Sequence, residues 1–276
     1  MAMRAFKSSK ILWLAAVAAI ATAAPAEAAG DLLIAPTRLI LNGSRGTEVI
    51  LNNIGSETAT YRISLELRRM TPDGSIDEID PAVATEQEKL ALSMISYAPR
   101  RVVLPPNQPQ AIRVAVRAPQ GLADGEYRAH MMFRAIPVAK PIVPGAPEPT
   151  TISISLNPVY GITIPIIIRQ GNLAATAAIT AAKIDMSAER PVLVVGLRRS
   201  GTRSTYGNIT IKKSGISKPV FEARGLGVYP EIHDREVRLA LTDETLAALK
   251  GPVTIEYRED AAAGGALIAE YKTVIK

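Results

Sequence analysis

The 276-residue chain carries 32 basic and 26 acidic residues, contains no cysteine and has only 4% aromatic residues. Without cysteine, disulfide scaffolds, thiol catalysis and most zinc sites are excluded, so an apolar core must hold the fold together. The positive excess is spread along the chain and does not form the long basic block of a nucleic-acid-binding protein, so we expect no nucleic-acid partner. We interpret the paired basic residues as solvated strand ends: Arg68-Arg69, Arg198-Arg199 and Lys212-Lys213.

The first 29 residues predict a secretory signal peptide. Three basic residues (Arg4, Lys7 and Lys10) precede an apolar run at 11–24, and small residues at 26–29 then provide a cleavage signature. The apolar run is short for a transmembrane anchor. We therefore expect an exported protein with no membrane-spanning segment after cleavage.

Strand patterns follow in the first half of the chain. Asn42-Gly43 predicts a tight hairpin, and Thr71-Pro72-Asp73-Gly74 predicts a turn. Residues 86–92 are expected to form a helical turn, and the proline-rich residues 137–149 an exposed loop. Apolar, β-branched runs predict strands at 32–41, 47–51, 58–67, 95–104, 110–116, 126–136 and 151–168.

The second half repeats this theme after Gln170-Gly171-Asn172, which we interpret as an interdomain hinge. One helix is predicted at 243–250, with Asp243 as its cap and Gly251 at its end. Strands are predicted at 175–184, 191–197, 204–211, 236–241, 253–257 and 267–275. The expected fold is all-β, with two immunoglobulin-like β-sandwich domains in tandem: a signal peptide at 1–29 and domains at 30–170 and 171–276.

The sequence contains no recognisable catalytic motif. The two histidines, His130 and His233, are accompanied by no G-x-S-x-G nucleophile elbow and no phosphate-binding loop. Two histidines without cysteine also make a poor metal set. We expect no enzymatic activity, no metal and no cofactor.

Residues 151–168 form the longest strand pattern, with one face apolar throughout. Its even positions are Ile152, Ile154, Leu156, Pro158, Tyr160, Ile162, Ile164, Ile166 and Ile168. The whole segment can pack within its own domain, or it can be two strands broken at Asn157-Pro158. Alternatively, its first part projects as an apolar edge that completes a partner lacking one strand.

Four segments carry a resemblance to a known family. Residues 35–41 read A-P-T-R-L-I-L, residues 49–56 V-I-L-N-N-I-G-S, and residues 99–114 P-R-R-V-V-L-P-P-N-Q-P-Q-A-I-R-V. The most specific segment is G-E-Y-R-A-H-M-M-F-R-A-I-P at 125–137, with Glu126, Arg134 and Pro137 at the family's spacing. Together they resemble the periplasmic pilus, or fimbrial, assembly chaperones, closely over residues 32–170 and loosely beyond.

The resemblance implies a function in the periplasm. Chaperones of this family insert a donor strand into pilus subunits that lack their last strand, and then deliver them to an outer-membrane usher. By matching position, Ile152, Ile154, Leu156 and Tyr160 would fill the subunit groove. The runner-up interpretation is an exported two-domain adhesin or structural surface protein, because fold alone does not decide function.

The resemblance also implies an anchor for the subunit. Arg38 would bind the subunit's C-terminal carboxylate between the domains. The family carries a second basic anchor, a lysine, four residues before the arginine that closes the donor strand. Here that position is Pro165, four residues before Arg169. Three possibilities therefore stay open: Arg38 anchors the subunit alone, with Arg169, or with Arg113.

Overall fold

The computed structural model describes residues 32–42, 46–137 and 159–276. The first half contains helix α1 (Glu86–Met94) and a 3-10 helix (Pro81–Val83). Its strands are β1 (Leu32–Ala35), β2 (Leu39–Asn42), β3 (Gly46–Asn53), β4 (Ala59–Glu66), β5 (Arg68–Met70), β6 (Ile76–Glu78), β7 (Ile95–Ala98), β8 (Arg101–Leu104), β9 (Pro109–Val116), β10 (Gly125–Ile136) and β11 (Gly161–Gln170).

The second half contains helix α2 (Asp243–Leu249) and a 3-10 helix (Ala261–Ala263). Its strands are β12 (Ala175–Asp185), β13 (Val192–Gly201), β14 (Thr205–Lys212), β15 (Phe221–Val228), β16 (Asp234–Ala240), β17 (Gly251–Arg258) and β18 (Leu267–Ile275).

Each half forms a β-sandwich with its own core. In the first sandwich, sheet β1-β3-β9-β7 packs on sheet β2-β11-β10-β4-β8 around a cluster that includes Leu51, Phe133 and Ile166. In the second, sheet β12-β13-β16 packs on sheet β15-β14-β17-β18 around a cluster that includes Leu193 and Tyr257. The expected all-β fold of two tandem immunoglobulin-like sandwiches is confirmed. The bounds given for the leader and the two domains stay predictions.

Two predicted strands are each divided by a proline. The run at 32–41 breaks after Ala35, and the run at 95–104 breaks after Ala98. Proline has no N–H group with which to continue the ladder, so Pro36 and Pro99 each begin a crossing to the opposite sheet. After the first crossing, β2 pairs in parallel with β11, with Leu39 opposite Ile166.

Three strands are absent from the predicted set: β5, β6 and β15. The sequence of β15, F-E-A-R-G-L-G-V, contains two glycines and two charged residues, which lower its β propensity. It forms because β14 offers an edge, with a register shift after Gly207. Helix α2 is confirmed, but its N-cap is Thr242 rather than Asp243. The turn at Thr71 to Gly74 is also confirmed, since Gly74 N donates to Thr71 O at 2.8 Å.

Strand β11 shows why the long alternating pattern matters. Ile164, Ile166 and Ile168 are buried in the first sandwich. Ile167 points from the opposite face and is also buried, in a cluster with Met70 and Tyr229 that joins the two sandwiches. The first part of the pattern, residues 151–158, lies outside the described residues, as does most of the predicted loop at 137–149. The tight hairpin predicted at Asn42-Gly43 is wrong, because β2 and β3 on either side of it belong to different sheets.

We predict that Ile166→Ala lowers the free energy of unfolding by about 2–5 kcal/mol, because it leaves a cavity in the first core. Ile162→Ala on the same strand and face is the control. Ile162 is 40% exposed, so its truncation should cost about 0.5 kcal/mol. Urea unfolding of both variants provides the test, and equal losses would contradict the assignment of this face to the core.

Candidate functional site

Strand β10 contributes residues to the site from one of its two faces. Side chains alternate along a strand, and Tyr127, Ala129, Met131 and Phe133 all point into the first core. The even positions face the other way, and Glu126 and Arg128 there form contacts with the second sandwich. One strand therefore supports the core and supplies the polar residues of the cleft between the sandwiches.

Glu126 links the two sandwiches through its carboxylate, which is fully buried. Its Oε2 accepts hydrogen bonds from Arg169 Nε at 3.1 Å, from Ser204 N at 3.1 Å and from Ser204 Oγ at 2.9 Å. Arg169 lies directly opposite Glu126 in the β10–β11 ladder. Ser204 precedes β14 in the second sandwich, so this carboxylate holds the start of β14 against the first sandwich.

Arg38 enters the same cleft from the segment that follows Pro36. Its Nη2 donates to Ser204 Oγ at 3.2 Å, and Arg169 Nη2 reaches the same oxygen at 3.4 Å. The Arg38 guanidinium carbon lies 4.1 Å from the ring centroid of Tyr206 and 5.7 Å from that of Tyr229. Two arginines of the first sandwich thus meet at one hydroxyl group of the second, and an aromatic ring covers one of them.

The Arg38 guanidinium has unused hydrogen-bonding capacity. Its Nε and Nη1 atoms are buried and have no hydrogen-bond partner among the described residues, and neither has Glu126 Oε1. Desolvation is the largest influence on Arg38 and lowers its pKa, whereas Tyr229 and Glu126 oppose that shift. Leaving charged donors unpaired is costly, and with Arg169 the group carries one positive charge more than Glu126 neutralises. The arrangement is suited to binding an anion with oxygen acceptors.

A second set of contacts fixes the cleft beside Arg38. Arg128 donates to both carboxylate oxygens of Glu231, at 3.0 Å from Nη1 to Oε2, and its guanidinium lies 3.8 Å from the Tyr229 ring centroid. Glu231 Oε1 also accepts from Met70 N at 2.8 Å. Tyr229 is therefore flanked by Arg128 and Arg38, and the second sandwich is held on both sides of the anchor residues.

The remaining predicted residues lie apart from this group. Arg113 is on β9 in the other sheet, with a side chain that is 85% exposed and paired with Glu48 at 3.4 Å. Arg134 is eight residues along β10 from Glu126 and lies 3.7 Å from Glu66. Pro137 is exposed just after β10.

The predicted donor residues are described only in part. Tyr160 lies just before β11, is 55% exposed, and accepts a hydrogen bond from Ala135 N through its carbonyl oxygen. Ile152, Ile154 and Leu156 lie outside the described residues. Their assignment stays a prediction from the sequence.

Six residues of the cleft were given no role there by sequence reasoning: Ser204, Tyr206, Tyr229, Glu231, Arg128 and Arg199. The first four carry no local motif, because their role arises only when the sandwiches dock. The interpretation of Arg199 as a solvated strand end is wrong, since it is 2% exposed. Its sequence neighbour Arg198, whose side chain is 64% exposed, fits that interpretation.

Other kinds of site were also sought in the described residues. They contain no cluster of three or more acidic or histidine side chains arranged to hold a metal ion. Within 32–42, 46–137 and 159–276, no helix has the length and apolar character needed to cross a bilayer. Burial, with a smaller contribution from Arg128 and Arg68, lowers the pKa of His130 to about 3, so this imidazole is neutral at physiological pH.

We predict that Glu126→Ala lowers the free energy of unfolding by about 3–5 kcal/mol, because it leaves Arg169 without its buried counter-charge. Glu126→Gln should cost less, since an amide oxygen still accepts from Ser204. Glu48→Ala is the control, because Glu48 and Arg113 form an exposed pair of little energetic value. Chemical denaturation provides the measurement, and similar losses for Glu126→Ala and Glu48→Ala would contradict the linking role.

No protein-family model matches the chain, and no curated protein matches its sequence. Among solved structures, this chain is similar to a chain of the Salmonella enterica SafA pilin–SafB chaperone complex. The identity is 15%, the similarity covers 90% of this chain and 98% of that chain, and the TM-score is 0.45. The Pseudomonas aeruginosa CupB2 chaperone has 13% identity, coverage of 88% and 100%, and a TM-score of 0.43. The Acinetobacter baumannii CsuC–CsuE chaperone–tip adhesion subunit pre-assembly complex has 12% identity, coverage of 88% and 97%, and a TM-score of 0.43.

Proposed function

We propose that the chain is a periplasmic chaperone that binds pilus or fimbrial subunits by lending them a β-strand and passes them to an outer-membrane usher. The single observation that carries the proposal is the Arg38 guanidinium, held in the cleft with two buried nitrogens unpaired among the described residues. The resemblance of residues 32–170 to pilus chaperones gives this anion site its identity. The signal-peptide pattern at 1–29 supports export.

The ligand of Arg38 in this proposal is the C-terminal carboxylate of the subunit. A guanidinium stays charged and presents a planar fork that matches two carboxylate oxygens, which a lysine ammonium does not. Tyr206 covers the Arg38 guanidinium and fixes its plane. Arg169 shares Ser204 with Arg38 and supplies the second positive charge, so we place the second anchor there and not at the distant Arg113.

The donor segment in this proposal is the stretch that leads into β11. Its described end presents three apolar side chains to solvent: Val159, Tyr160 and Ile162 are 51%, 55% and 40% exposed. Neighbouring exposed apolar side chains are costly unless a partner covers them. In this proposal the alternation of the sequence continues backwards from Tyr160, so that Ile152, Ile154 and Leu156 would share its face and fill a groove in the subunit.

Binding at this site needs no covalent step, so we infer a non-enzymatic chaperone. The Arg38 site would bind the subunit's carboxylate, and the donor segment would cover the subunit's apolar groove. Neither interaction requires a cofactor. The energy for capture comes from burying subunit surface and pairing the carboxylate.

We predict that Arg38→Ala weakens subunit capture by about 2–5 kcal/mol, as expected for removing one partner of a hydrogen-bonded charge pair. The melting temperature should change little, since the substitution also removes two buried nitrogens without partners. Arg38→Lys should restore only part of the capture because it lacks the fork. Tagged wild-type and variant proteins are used to capture chains from periplasmic extract of the source organism, and mass spectrometry identifies what is bound.

Arg113→Ala is the matched control, and it should leave capture unchanged. The captured subunit's C-terminal peptide, made as free acid and as amide, then completes a double-mutant cycle with Arg38→Ala. Non-additive losses support a direct contact between Arg38 and the carboxylate. Additive losses would contradict it. If the wild-type protein captures no small subunit, the adhesin or structural interpretation replaces the chaperone.

We predict that Ile154→Asp abolishes capture, because it places a charge in an apolar groove at a cost of several kcal/mol. The free protein should still fold. Ser153→Asp, one residue away on the opposite face, is the control and should leave capture nearly intact. Circular dichroism and the same capture assay provide the measurements. Unfolding of the free Ile154→Asp protein would assign Ile154 to its own core and contradict the donor role.

A further inference from the structure

Arg199 is a fully buried arginine without a carboxylate partner. It lies near the end of β13, opposite Ala177 of β12, and is 2% exposed. Charged side chains are rarely buried so completely unless they are paired. Among the ion pairs of the described residues none includes Arg199, whereas Arg198 pairs with Asp234 at 2.7 Å.

The Arg199 guanidinium instead donates to three carbonyl groups on two chain segments. Nη1 donates to Gly201 O at 2.8 Å and to Arg203 O at 3.1 Å, and Nη2 donates to Pro230 O at 3.2 Å. Desolvation is the main cause that lowers its pKa, while Glu126 and Glu231 oppose the shift. Thus the charge sits close enough to both acids of the cleft to be stabilised by them.

Each segment that Arg199 binds is adjacent in sequence to a residue that contacts Arg38. Arg203 precedes Ser204, which accepts the Arg38 hydrogen bond, and Pro230 follows Tyr229, whose ring flanks Arg38. The planar fork of Arg199 spans the two segments and fixes the distance between them. We propose that Arg199 is a positioning residue for Arg38: by tying the backbone at 201–203 to that at 230, it sets the place of Ser204 and Tyr229 and so aims the guanidinium into the cleft.

The inference that this affects capture rests on the proposed function, but the positioning of Arg38 does not. The first test therefore uses the free protein. The Nε–H signal of Arg38 in an NMR spectrum, assigned by its loss in Arg38→Ala, is expected to be shifted by the Tyr206 ring and protected from exchange. Arg199→Met, which keeps an unbranched apolar stem but removes the fork, should move this signal toward that of free arginine. Arg198→Met should leave it unchanged.

Arg199→Lys keeps the charge and can reach one segment but not both, so it should give an intermediate shift. It also decides the matter if Arg199→Met fails to fold. An unchanged Arg38 signal in a folded Arg199 variant would overturn the proposal, whether or not the protein captures subunits.

The second test separates positioning from general destabilisation. With the captured subunit's C-terminal peptide as free acid, Arg199→Met should bind roughly tenfold more weakly than wild type, which corresponds to about 1.4 kcal/mol. In an Arg38→Ala background the same substitution should have little further effect, because it acts through Arg38. An equal loss in both backgrounds would show a merely structural role. If Arg38→Ala itself leaves binding intact, the proposed function fails, and the NMR result alone decides the role of Arg199.

Discussion

The buried carboxylate of Glu126 is the constraint on which the arrangement of the two sandwiches depends. An ionised side chain without solvent must find charge and hydrogen-bond donors within the protein. Glu126 draws these from both sandwiches. Arg169, in the same sheet, supplies the positive charge, and Ser204 of the second sandwich supplies two hydrogen-bond donors. Pairing of Glu126 Oε2 therefore depends on this docking of the sandwiches, which also brings Ser204 and Tyr206 beside Arg38.

The arginines of the cleft differ in how many of their nitrogen atoms have hydrogen-bond partners within the protein. Arg128 is paired with Glu231, and Arg199 is surrounded by carbonyl groups. Each lacks a partner only at Nε among the described residues, whereas Arg38 lacks one at both Nε and Nη1. A residue whose role was only structural would be expected to have its nitrogens paired by the fold, as most buried polar groups do. The unused donors of Arg38 thus favour a ligand over a structural role.

The alternation of apolar residues along the sequence predicted most of the strands, because strand formation depends mainly on nearby residues. Alternation at Ile164, Ile166 and Ile168 identified β11. The strand assignment was wrong at Pro36 and Pro99, which divide predicted strands, and at β5, β6 and β15, which were not predicted. For the site, Arg38, Arg169 and Glu126 were named from a resemblance, and the structure brings these three together. The residues that complete the cleft lie far from Arg38 and Glu126 in the sequence, with Ser204 at 166 and 78 positions from them, and no local pattern encodes that meeting. Arg199 shows this most clearly, because Arg198 next to it is a surface residue of the same type.

Pro165 is the point at which the cleft departs from the pilus-chaperone pattern that the sequence resembles. Proline is tolerated in β11 at this position because β2 pairs with β11 only from Ile166 onward, so one side of the strand is an edge there. Where the resembled pattern has a lysine ammonium, this position carries a ring without charge. On the proposed function, the cleft compensates by preorganisation: Tyr206 restricts the plane of the Arg38 guanidinium, and Ser204 holds Nη2 before a ligand arrives. Less side-chain freedom is then lost on binding, so the well-oriented fork of Arg38, with Arg169 beside it, can replace part of the affinity that a flexible lysine would supply.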